Sequence, residues 1–402
     1  MNTTLKTILL GLLTAVLFSA FIYFEHYNLT NKLLNTLFAL SSLALFLYIP
    51  KRSILVAGFT IGLLWFYWIG YSFEYQGVGY MTPIITIAFG FIYLLFFLPL
   101  YFTDRPYLRA LLLFGLSFVE PFNWNWLQIE LLFVDSYIGV YKYQLAIVLL
   151  SLCLGSFIKN AKLQFLPLIL LIAAFNYGYP SQDKSELNIK LIQTDIKQDY
   201  KWTRVALKPT VSMIFKEINI AKNENVDVVV FPESVFPLYM NKNQQLLQEL
   251  LQASHNITIV AGALLRENKQ SYNVTYLFEN GNYSVAKKLV LVPFGEYIPL
   301  PKFAQKIINE TFFQGASDFV TAEKPTDFTI KGVKFRNAIC YEATCQELYE
   351  GNINFVIATS NNAWFAPSIE PTLQNLLLKY YARKNGVTIY HAANYKGTGV
   401  IQ

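Results

Sequence analysis

The pattern of apolar and polar positions changes once along this chain, near residue 180. Before that point the sequence consists of long apolar runs separated by short polar breaks. After it, charged residues are frequent, and alternating and helical patterns follow one another. The change at Tyr179-Pro180-Ser181 predicts two domains, residues 1–180 and residues 186–402.

The apolar runs of the first domain are typical of membrane-spanning helices, each of which needs roughly 20 apolar residues to cross the hydrocarbon core. Tyr and Trp concentrate near the ends of the runs, where membrane proteins place an aromatic belt. Glu120-Pro121 ends the fifth run early. The pattern predicts a helical bundle of about seven spans: residues 7–24, 33–49, 53–73, 82–102, 108–118, 145–157 and 163–177.

Basic residues are distributed unevenly between the loops that join these predicted spans. The loops on one side contain only Lys32 and Lys142, together with several acidic residues. The loops on the other side hold the remaining basic residues of this half: Lys6, Lys51, Arg52, Arg105, Arg109, Lys159 and Lys162. Because Lys and Arg are enriched in cytoplasmic loops, the amino terminus is predicted to be cytoplasmic. Seven crossings then place the second domain outside the cytoplasm.

Composition supports a membrane protein and excludes several other classes. The 402 residues are 54% hydrophobic and only 14% charged, against about 25% charged in a typical soluble domain. The net charge of +6 is spread along the chain, without the dense basic blocks of a nucleic-acid-binding protein. Three cysteines are too few for a disulfide framework, and no Cys/His cluster has the spacing of a metal site.

The second domain reads as an α/β domain. Two segments, residues 211–225 and 243–256, have an apolar stripe at helical spacing. A hairpin is predicted to turn at Asn280-Gly281-Asn282. Short β-rich runs that end in polar residues are residues 187–195, 226–234, 257–265, 334–342, 353–361 and 387–394. Together these segments predict a mixed sheet covered by helices, with candidate site residues just beyond the strand ends.

Cys340 follows one of these apolar strands directly. A nucleophilic thiol needs a base or a cation to activate it, and a lone cysteine is otherwise a core residue. Among the histidines only His391 is a credible imidazole base, while Glu342 is the nearest carboxylate in sequence. Cys153 and Cys345 are predicted to be packing residues.

Two other segments offer partners for such a thiol. In FPESVFP, Glu233 follows a buried strand and lies between two prolines, which suits a rigid, partly desolvated general base; the alternative is a solvated carboxylate that caps the next helix. In KKLVLVPFGEYIP, Lys287 or Lys288 could stabilise a thiolate and an oxyanion; the alternative is a pair of surface lysines.

In this order, Glu233, Lys288 and Cys340 resemble the Glu-Lys-Cys triad of the nitrilase (carbon–nitrogen hydrolase) superfamily. The closest resemblance is to its membrane-fused branch, the apolipoprotein N-acyltransferases. In that branch the lysine stands three residues before a Leu-Val-Pro, which selects Lys288 over Lys287. The segments similar to its motifs lie within residues 189–400: LIQTDIKQDYKW, FPESVFP, KKLVLVPFGEYIP, AICYE and SNNAWF.

The resemblance implies an α-β-β-α sandwich on the outer (periplasmic) face of a bacterial cytoplasmic (inner) membrane, held there by the helical bundle. It implies transfer of a fatty acyl chain from a membrane phospholipid to the α-amino group of the lipidated first cysteine of a diacylated apolipoprotein. Glu233 would be the base, Lys288 the oxyanion partner and Cys340 the nucleophile, with no cofactor and no metal. Positions that the family uses around its site are Trp202, Glu296, Tyr341, Glu342 and Trp364.

Some features depart from the family's pattern or leave alternatives open. Asn362 stands where the family often has an acidic residue, and the family commonly continues beyond the position of Gln402 with further strands and a last span.

Aromatic residues between 293 and 319 suggest either a lid that enters the lipid or ordinary packing. Two other functions remain open at this point: a membrane-tethered amidase or nitrilase acting on a small substrate, and a non-enzymatic binding or transport protein.

Overall fold

The computed structural model of the protein describes residues 3–180, 183–293, 296–297 and 319–402. It divides into two compact units, an amino-terminal unit Met1–Tyr179 and a carboxy-terminal unit Pro180–Gln402. The segment for which a lid is suggested lies almost entirely outside the described residues.

The amino-terminal unit is helical, and its elements differ from the seven predicted spans. Its described α-helices are α1 (Thr3–His26), α2 (Lys32–Tyr48), α3 (Lys51–Phe66), α4 (Thr82–Phe97), α5 (Pro106–Leu116), α6 (Lys142–Leu154) and α7 (Leu171–Ala174). Among the described residues, three helical segments are long and apolar enough to cross a membrane: Thr3–His26, Lys51–Phe73 and Gly79–Phe102. Lys32–Tyr48 and Lys142–Phe157 are shorter apolar helices.

Three of the seven predicted spans thus coincide with helical segments that are long and apolar enough to cross a membrane, and prolines explain part of the difference for two of the others. The fifth predicted span becomes the 11-residue helix α5, which begins at Pro106 and ends before Glu120-Pro121. The seventh divides into short 3₁₀ turns and the four-residue α7, with Pro167 in one of the turns. A proline lacks the N–H that a continuous helix needs and clashes with the preceding turn.

Arg109 is predicted from the sequence to be a loop charge, but its side chain is buried in α5. Its guanidinium donates hydrogen bonds to the carbonyl oxygens of Phe46, Leu47 and Ile49, the last at 2.7 Å. These carbonyls lie at the end of α2, where the helix provides no partners of its own. Arg109 is thus a helix cap as well as a basic residue.

Over its described residues, the carboxy-terminal unit contains two five-stranded sheets. The first has the order β1-β2-β3-β4-β5 and the second the order β10-β9-β8-β7-β6. Strands β1, β2 and β3 are parallel, as are β7, β8 and β9, whereas the other neighbours are antiparallel. The bounds are β1 Ile189–Leu191, β2 Val228–Val230, β3 Thr258–Glu267, β4 Gln270–Glu279, β5 Asn282–Lys287, β6 Asp327–Ile330, β7 Val333–Ile339, β8 Phe355–Asn361, β9 Thr388–Asn394 and β10 Gly399–Ile401.

Helices cover the outer faces of this pair of sheets, so the unit is an α-β-β-α sandwich. The described helices are α8 (Gln198–Lys201), α9 (Arg204–Asn223), α10 (Gln244–Ala253) and α11 (Glu370–Asn385). Thr203 and Asn243 cap α9 and α10 by accepting hydrogen bonds from backbone N–H groups of the first turn. The hairpin predicted at residues 280–282 is confirmed: β4 and β5 pair across a turn at Asn280 and Gly281.

The side chains of β2 alternate between two apolar cores, which explains why every residue of this strand is apolar. Val229 packs in the core between the first sheet and its helices, together with Ile214 and Leu250. Val228 and Val230 point to the other face, into the core between the two sheets. Successive side chains of a strand face opposite sides, so a strand buried on both faces reads as a continuous apolar run. Such a strand holds the residue that follows it in a fixed place.

Candidate active site

Glu233 lies three residues beyond the end of β2. The next residue, Ser234, has a left-handed backbone with φ of 47°. Strand β3 approaches this turn closely at Gly262, where a Cβ atom would lie 2.3 Å from the Ser234 nitrogen. The Glu233 side chain is buried, and its Oε1 accepts a 2.7 Å hydrogen bond from Asn273 Nδ2 on β4. The carboxylate is therefore held by both its backbone and its side chain.

Lys288 follows β5 directly and is 1% exposed. Its backbone N–H donates to the Asn273 carbonyl oxygen at 3.0 Å. Its Nζ lies 2.7 Å from Glu296 Oε2 and 3.7 Å from Glu233 Oε1. Lys287 instead pairs with Glu267 at 2.7 Å. The structure thus brings Lys288, and not Lys287, to the two glutamates.

The charge of Lys288 is set by these carboxylates. Burial by itself would lower the pKa of this ammonium group, but Glu296 and Glu233 outweigh burial and hold the pKa above its usual value. Glu296 is fixed in turn, because its Oε2 accepts a hydrogen bond from the Val292 backbone N–H at 2.9 Å. Lys288 therefore remains a cation at neutral pH.

Cys340 occupies a sharp turn immediately after β7. Its φ is 56°, in the left-handed region that residues other than glycine rarely adopt, and strain of this kind clusters at functional sites. The thiol is half-buried, and Gln374 Nε2 on α11 lies 3.9 Å from its Sγ. Burial and the Glu233 carboxylate raise the pKa of the Cys340 thiol well above its ordinary value, while Lys288 acts in the opposite direction.

Glu342 connects the two segments that carry Cys340 and Lys288. Its Oε2 accepts hydrogen bonds from the N–H groups of Leu289 and Val290, at 2.7 and 3.1 Å, and its Oε1 accepts one from Ile339 at 2.6 Å. Burial raises the pKa of Glu342 to about 7, against the effect of Lys288 and of these hydrogen bonds. The carboxyl group nearest to Cys340 in sequence is thus occupied by backbone donors.

The other residues proposed from the sequence occupy varied positions. Trp202, at the end of α8, is 45% exposed, whereas Tyr341 is buried and Trp364 half-buried. Asn362 is buried, and its Nδ2 donates to Gln374 Oε1 at 3.0 Å. Cys345 is buried and forms no disulfide, between two 3₁₀ turns.

His391, the only histidine considered as a base, is fully buried. Its Nε2 contacts Ser360 Oγ at 2.8 Å, and its Nδ1 contacts the Gly397 carbonyl oxygen at 2.9 Å. Burial lowers the pKa of the His391 imidazole to about 4. These contacts fix the imidazole within the second sheet.

Four polar residues near the site were not singled out from the sequence: Lys201, Asn273, Glu370 and Gln374. Asn273 bridges Glu233 and Lys288. In the sequence, the only indication of this role is that Asn273 is a polar residue in the middle of an apolar strand. Lys201 is buried, with its Nζ 3.1 Å from the Glu233 carbonyl oxygen. Gly262 is a glycine inside a strand pattern, which indicates that another backbone segment, here the turn at Glu233 and Ser234, packs closely against the strand.

The site has the elements of nucleophilic acyl transfer: a thiol on a strained turn, a buried carboxylate and a buried ammonium group. Within the described parts of the chain, no group of three or more His, Cys, Asp and Glu side chains could hold a metal ion. The carbonyl of an ester, thioester or amide next to Cys340 would meet both a proton acceptor and a cation.

Comparison with known families gives a match to each unit. Residues 5–177 match the model of the apolipoprotein N-acyltransferase integral membrane domain, and residues 186–398 match that of carbon-nitrogen hydrolase.

Relatives of the whole chain carry the same name. The apolipoprotein N-acyltransferase of Wolinella succinogenes is 44% identical over 398 residues, which cover 98% of this chain and 96% of the relative. That of Helicobacter pylori is 37% identical over 92% of this chain and 87% of the relative. That of Helicobacter hepaticus is 38% identical over 92% of this chain and 94% of the relative.

Proposed function

Since this chain belongs to the apolipoprotein N-acyltransferase family, we propose that Cys340, Lys288 and Glu233 carry out its acyl transfer. The chain is a membrane acyltransferase, and the role of its family involves a lipoprotein substrate and membrane lipids. The observation that carries the proposal is geometric: Lys288 Nζ lies 3.7 Å from Glu233 Oε1, and Glu342 joins the segment after Lys288 to the strained turn at Cys340. The charges of Glu233 and Lys288, which shift the pKa of the Cys340 thiol in opposite directions, support the same grouping.

The first half-reaction loads the acyl chain onto Cys340. Because Glu233 and burial keep the thiol protonated, Glu233 takes the proton as the sulfur attacks the ester carbonyl carbon of a phospholipid. The Lys288 ammonium, with a backbone N–H next to Cys340, stabilises the negative oxygen of the tetrahedral intermediate. The ester C–O bond breaks, the proton on Glu233 passes to the leaving oxygen, and a lysophospholipid departs.

The second half-reaction transfers the acyl chain to an amine. The α-amino group of a diacylated apolipoprotein attacks the thioester carbon, and Glu233 accepts a proton from the nitrogen. The C–S bond breaks, and Glu233 returns the proton to the Cys340 sulfur. Two half-reactions through one covalent intermediate give ping-pong kinetics.

The packing around the three residues supports this assignment. Asn273 fixes Glu233 through its side chain and Lys288 through its carbonyl oxygen. Glu342 ties the backbone beyond Lys288 to the turn at Cys340. A catalytic group held by such partners stays in its productive geometry. We assign Glu296 and Glu342 as positioning residues, and Trp202, Tyr341 and Trp364 as residues that border the substrates.

Mass spectrometry of the intact protein tests the triad. After incubation with phospholipid, the unchanged chain gains one fatty-acyl mass on Cys340, and a diacylated lipopeptide removes it again. Cys340→Ser, Glu233→Gln and Lys288→Met prevent the gain, whereas Cys345→Ser, a matched change of a buried thiol, does not. N-acylation by Cys340→Ser at the normal rate would overturn the mechanism. Ammonia release from a small amide without acyl transfer would favour an amidase instead.

We also propose that the carboxy-terminal unit faces the periplasm at a bacterial inner membrane, where both lipid-anchored substrates are within reach. The bias of Lys and Arg between the loops of the amino-terminal unit supports this orientation. Fusing alkaline phosphatase, which is active only outside the cytoplasm, and a cytoplasmic reporter after Gln402 tests it. Activity of the cytoplasmic reporter alone contradicts the orientation.

A further inference from the structure

Glu370 is a buried carboxyl group to which the mechanism above gives no role. It is the first residue of α11 and is 1% exposed. Its Oε2 is buried and has no hydrogen-bond partner among the described residues. Burying a carboxyl oxygen without a partner costs free energy, so a ligand that supplies a donor there would bind favourably.

The position of Glu370 directs it toward the candidate active site. Gln374, one helical turn further along α11, has its amide nitrogen 3.9 Å from Cys340 Sγ, and residues four apart share one face of a helix. Electrostatics agree with this placement. Burial and then the Glu233 carboxylate raise the pKa of Glu370 well above its ordinary value, and Glu370 contributes to the raised pKa of Cys340.

The other buried carboxyl groups of the site already have donors. Glu342 accepts three backbone hydrogen bonds, and Glu296 pairs with Lys288 and the Val292 N–H. Glu233 accepts from Asn273. Glu370 therefore differs from these three in having a buried carboxyl oxygen without a hydrogen-bond partner among the described residues, and a cation with N–H donors is the chemical class that complements it.

We propose that Glu370 binds the α-ammonium group of the acyl acceptor and removes one proton from it before the amine attacks. This inference rests on the proposed function. An α-amino group has an ordinary pKa of about 7.7–8.0 and is mostly protonated at neutral pH, so the acceptor must lose a proton before its nitrogen can form a bond. To attack the thioester, that nitrogen must come next to Cys340, and so beside α11.

Glu370 pairs as a carboxylate with the bound ammonium group, and the proton that it takes up in the next step returns to solvent after the amide product leaves. One ammonium proton then moves to Glu370, and the neutral amine forms the C–N bond to the thioester carbon. A second nitrogen proton passes through Glu233 to the Cys340 sulfur as the C–S bond breaks.

The test separates the half-reactions with Glu370→Gln, a change of similar size without the acidic proton. Acyl-enzyme formation from phospholipid and its discharge by a diacylated lipopeptide are each followed by intact mass in single turnovers. Removing one partner of a buried charge pair weakens the interaction by a factor of about 30 or more. We therefore expect discharge by the lipopeptide to slow about 30-fold or more relative to acylation, with partial recovery in Glu370→Asp. Glu347→Gln, at an exposed carboxylate in the segment that follows Cys340, is the matched control and changes neither rate.

A neutral nucleophile distinguishes binding of an ammonium group from a structural role. Hydroxylamine is uncharged at neutral pH, so Glu370→Gln should discharge the acyl-enzyme with hydroxylamine at the rate of the unchanged chain. Equal slowing with hydroxylamine and lipopeptide, equal slowing of both half-reactions, or no slowing at all would each overturn the inference. Absence of any acyl-enzyme in the unchanged chain would instead refute the proposed function.

Discussion

The Lys201 ammonium group lies 3.1 Å from the backbone carbonyl oxygen of Glu233. Lys201 is almost fully buried at the end of α8, and burial lowers the pKa of its side chain to about 8, while Glu233 and Cys340 act in the opposite direction. A cation held on the carbonyl of the proposed base fixes the backbone from which the Glu233 carboxylate projects. From this contact we infer that Lys201 positions Glu233.

Replacing Lys201 by Met keeps most of the side-chain volume but removes this donor. A hydrogen bond from a charged group contributes about 1.5–3 kcal/mol, so we expect Cys340 acylation to slow about tenfold or more. The KM for phospholipid should stay unchanged, because Lys201 contacts Glu233 in the structure. Single-turnover acylation at several phospholipid concentrations measures both quantities. Lys197→Met, an exposed lysine of the same segment, serves as the control, and a change confined to KM would contradict the assignment.

Gly262 controls the same part of the site from strand β3. A Cβ atom there would lie 2.3 Å from the Ser234 nitrogen and 2.7 Å from the Glu233 Cα. We expect Gly262→Ala to displace Glu233 and to slow acylation about 100-fold, since small displacements of a catalytic group can cost that much. The matched control is Gly399→Ala, because a Cβ atom at Gly399 meets nothing within 4 Å. Normal acylation by Gly262→Ala would show that Glu233 does not need this close approach.

Local patterns were sufficient to predict most of the carboxy-terminal unit. Alternation and turn residues predicted the hairpin between β4 and β5, and the apolar runs before Glu233 and Cys340 predicted their places beyond strand ends. Short motifs are informative because the two faces of a strand and the conformation of a turn are set by neighbouring residues.

The sequence did not predict the features that depend on distant segments. Lys201, Asn273 and Glu370 come from three separate elements, and only the folded sheets bring them near Cys340. The helices of the amino-terminal unit differ from the predicted spans for another reason: the length of an apolar run does not determine where a helix breaks. Pro167 and the short turns around it divide the last run, and Arg109 is a buried cap although it reads as a loop charge.

His391 predicts a specific dependence of stability on pH. Burial lowers its pKa from 6.5 to about 4, so between these values the unfolded chain binds more protons than the folded one. The free energy of unfolding therefore falls as pH falls through this window, by up to about 3 kcal/mol from this group. The Tm of the full chain in detergent, measured from pH 7 to pH 4, should fall less steeply in His391→Gln than in the unchanged chain.

The exposed His255 provides the control for this measurement. His255→Gln also removes one imidazole, but an exposed one, and should keep the Tm slope of the unchanged chain. The comparison between variants also removes the contribution of other groups that titrate in this range, such as Glu342. Equal slopes in His391→Gln and His255→Gln would mean that the buried imidazole does not govern acid stability.

The opposite effects of Glu233 and Lys288 on the Cys340 thiol predict opposite shifts in its reactivity. In a chain with Cys153→Ser and Cys345→Ser, the rate of Cys340 alkylation by iodoacetamide follows the fraction of thiolate. Because the Glu233 carboxylate raises the pKa of Cys340 and the Lys288 ammonium lowers it, Glu233→Gln should move the alkylation profile to lower pH and Lys288→Met to higher pH. Peptide mass spectrometry from pH 6 to pH 10 measures the profiles. Shifts in the same direction would show that these two charges do not act on the thiol as the structure indicates.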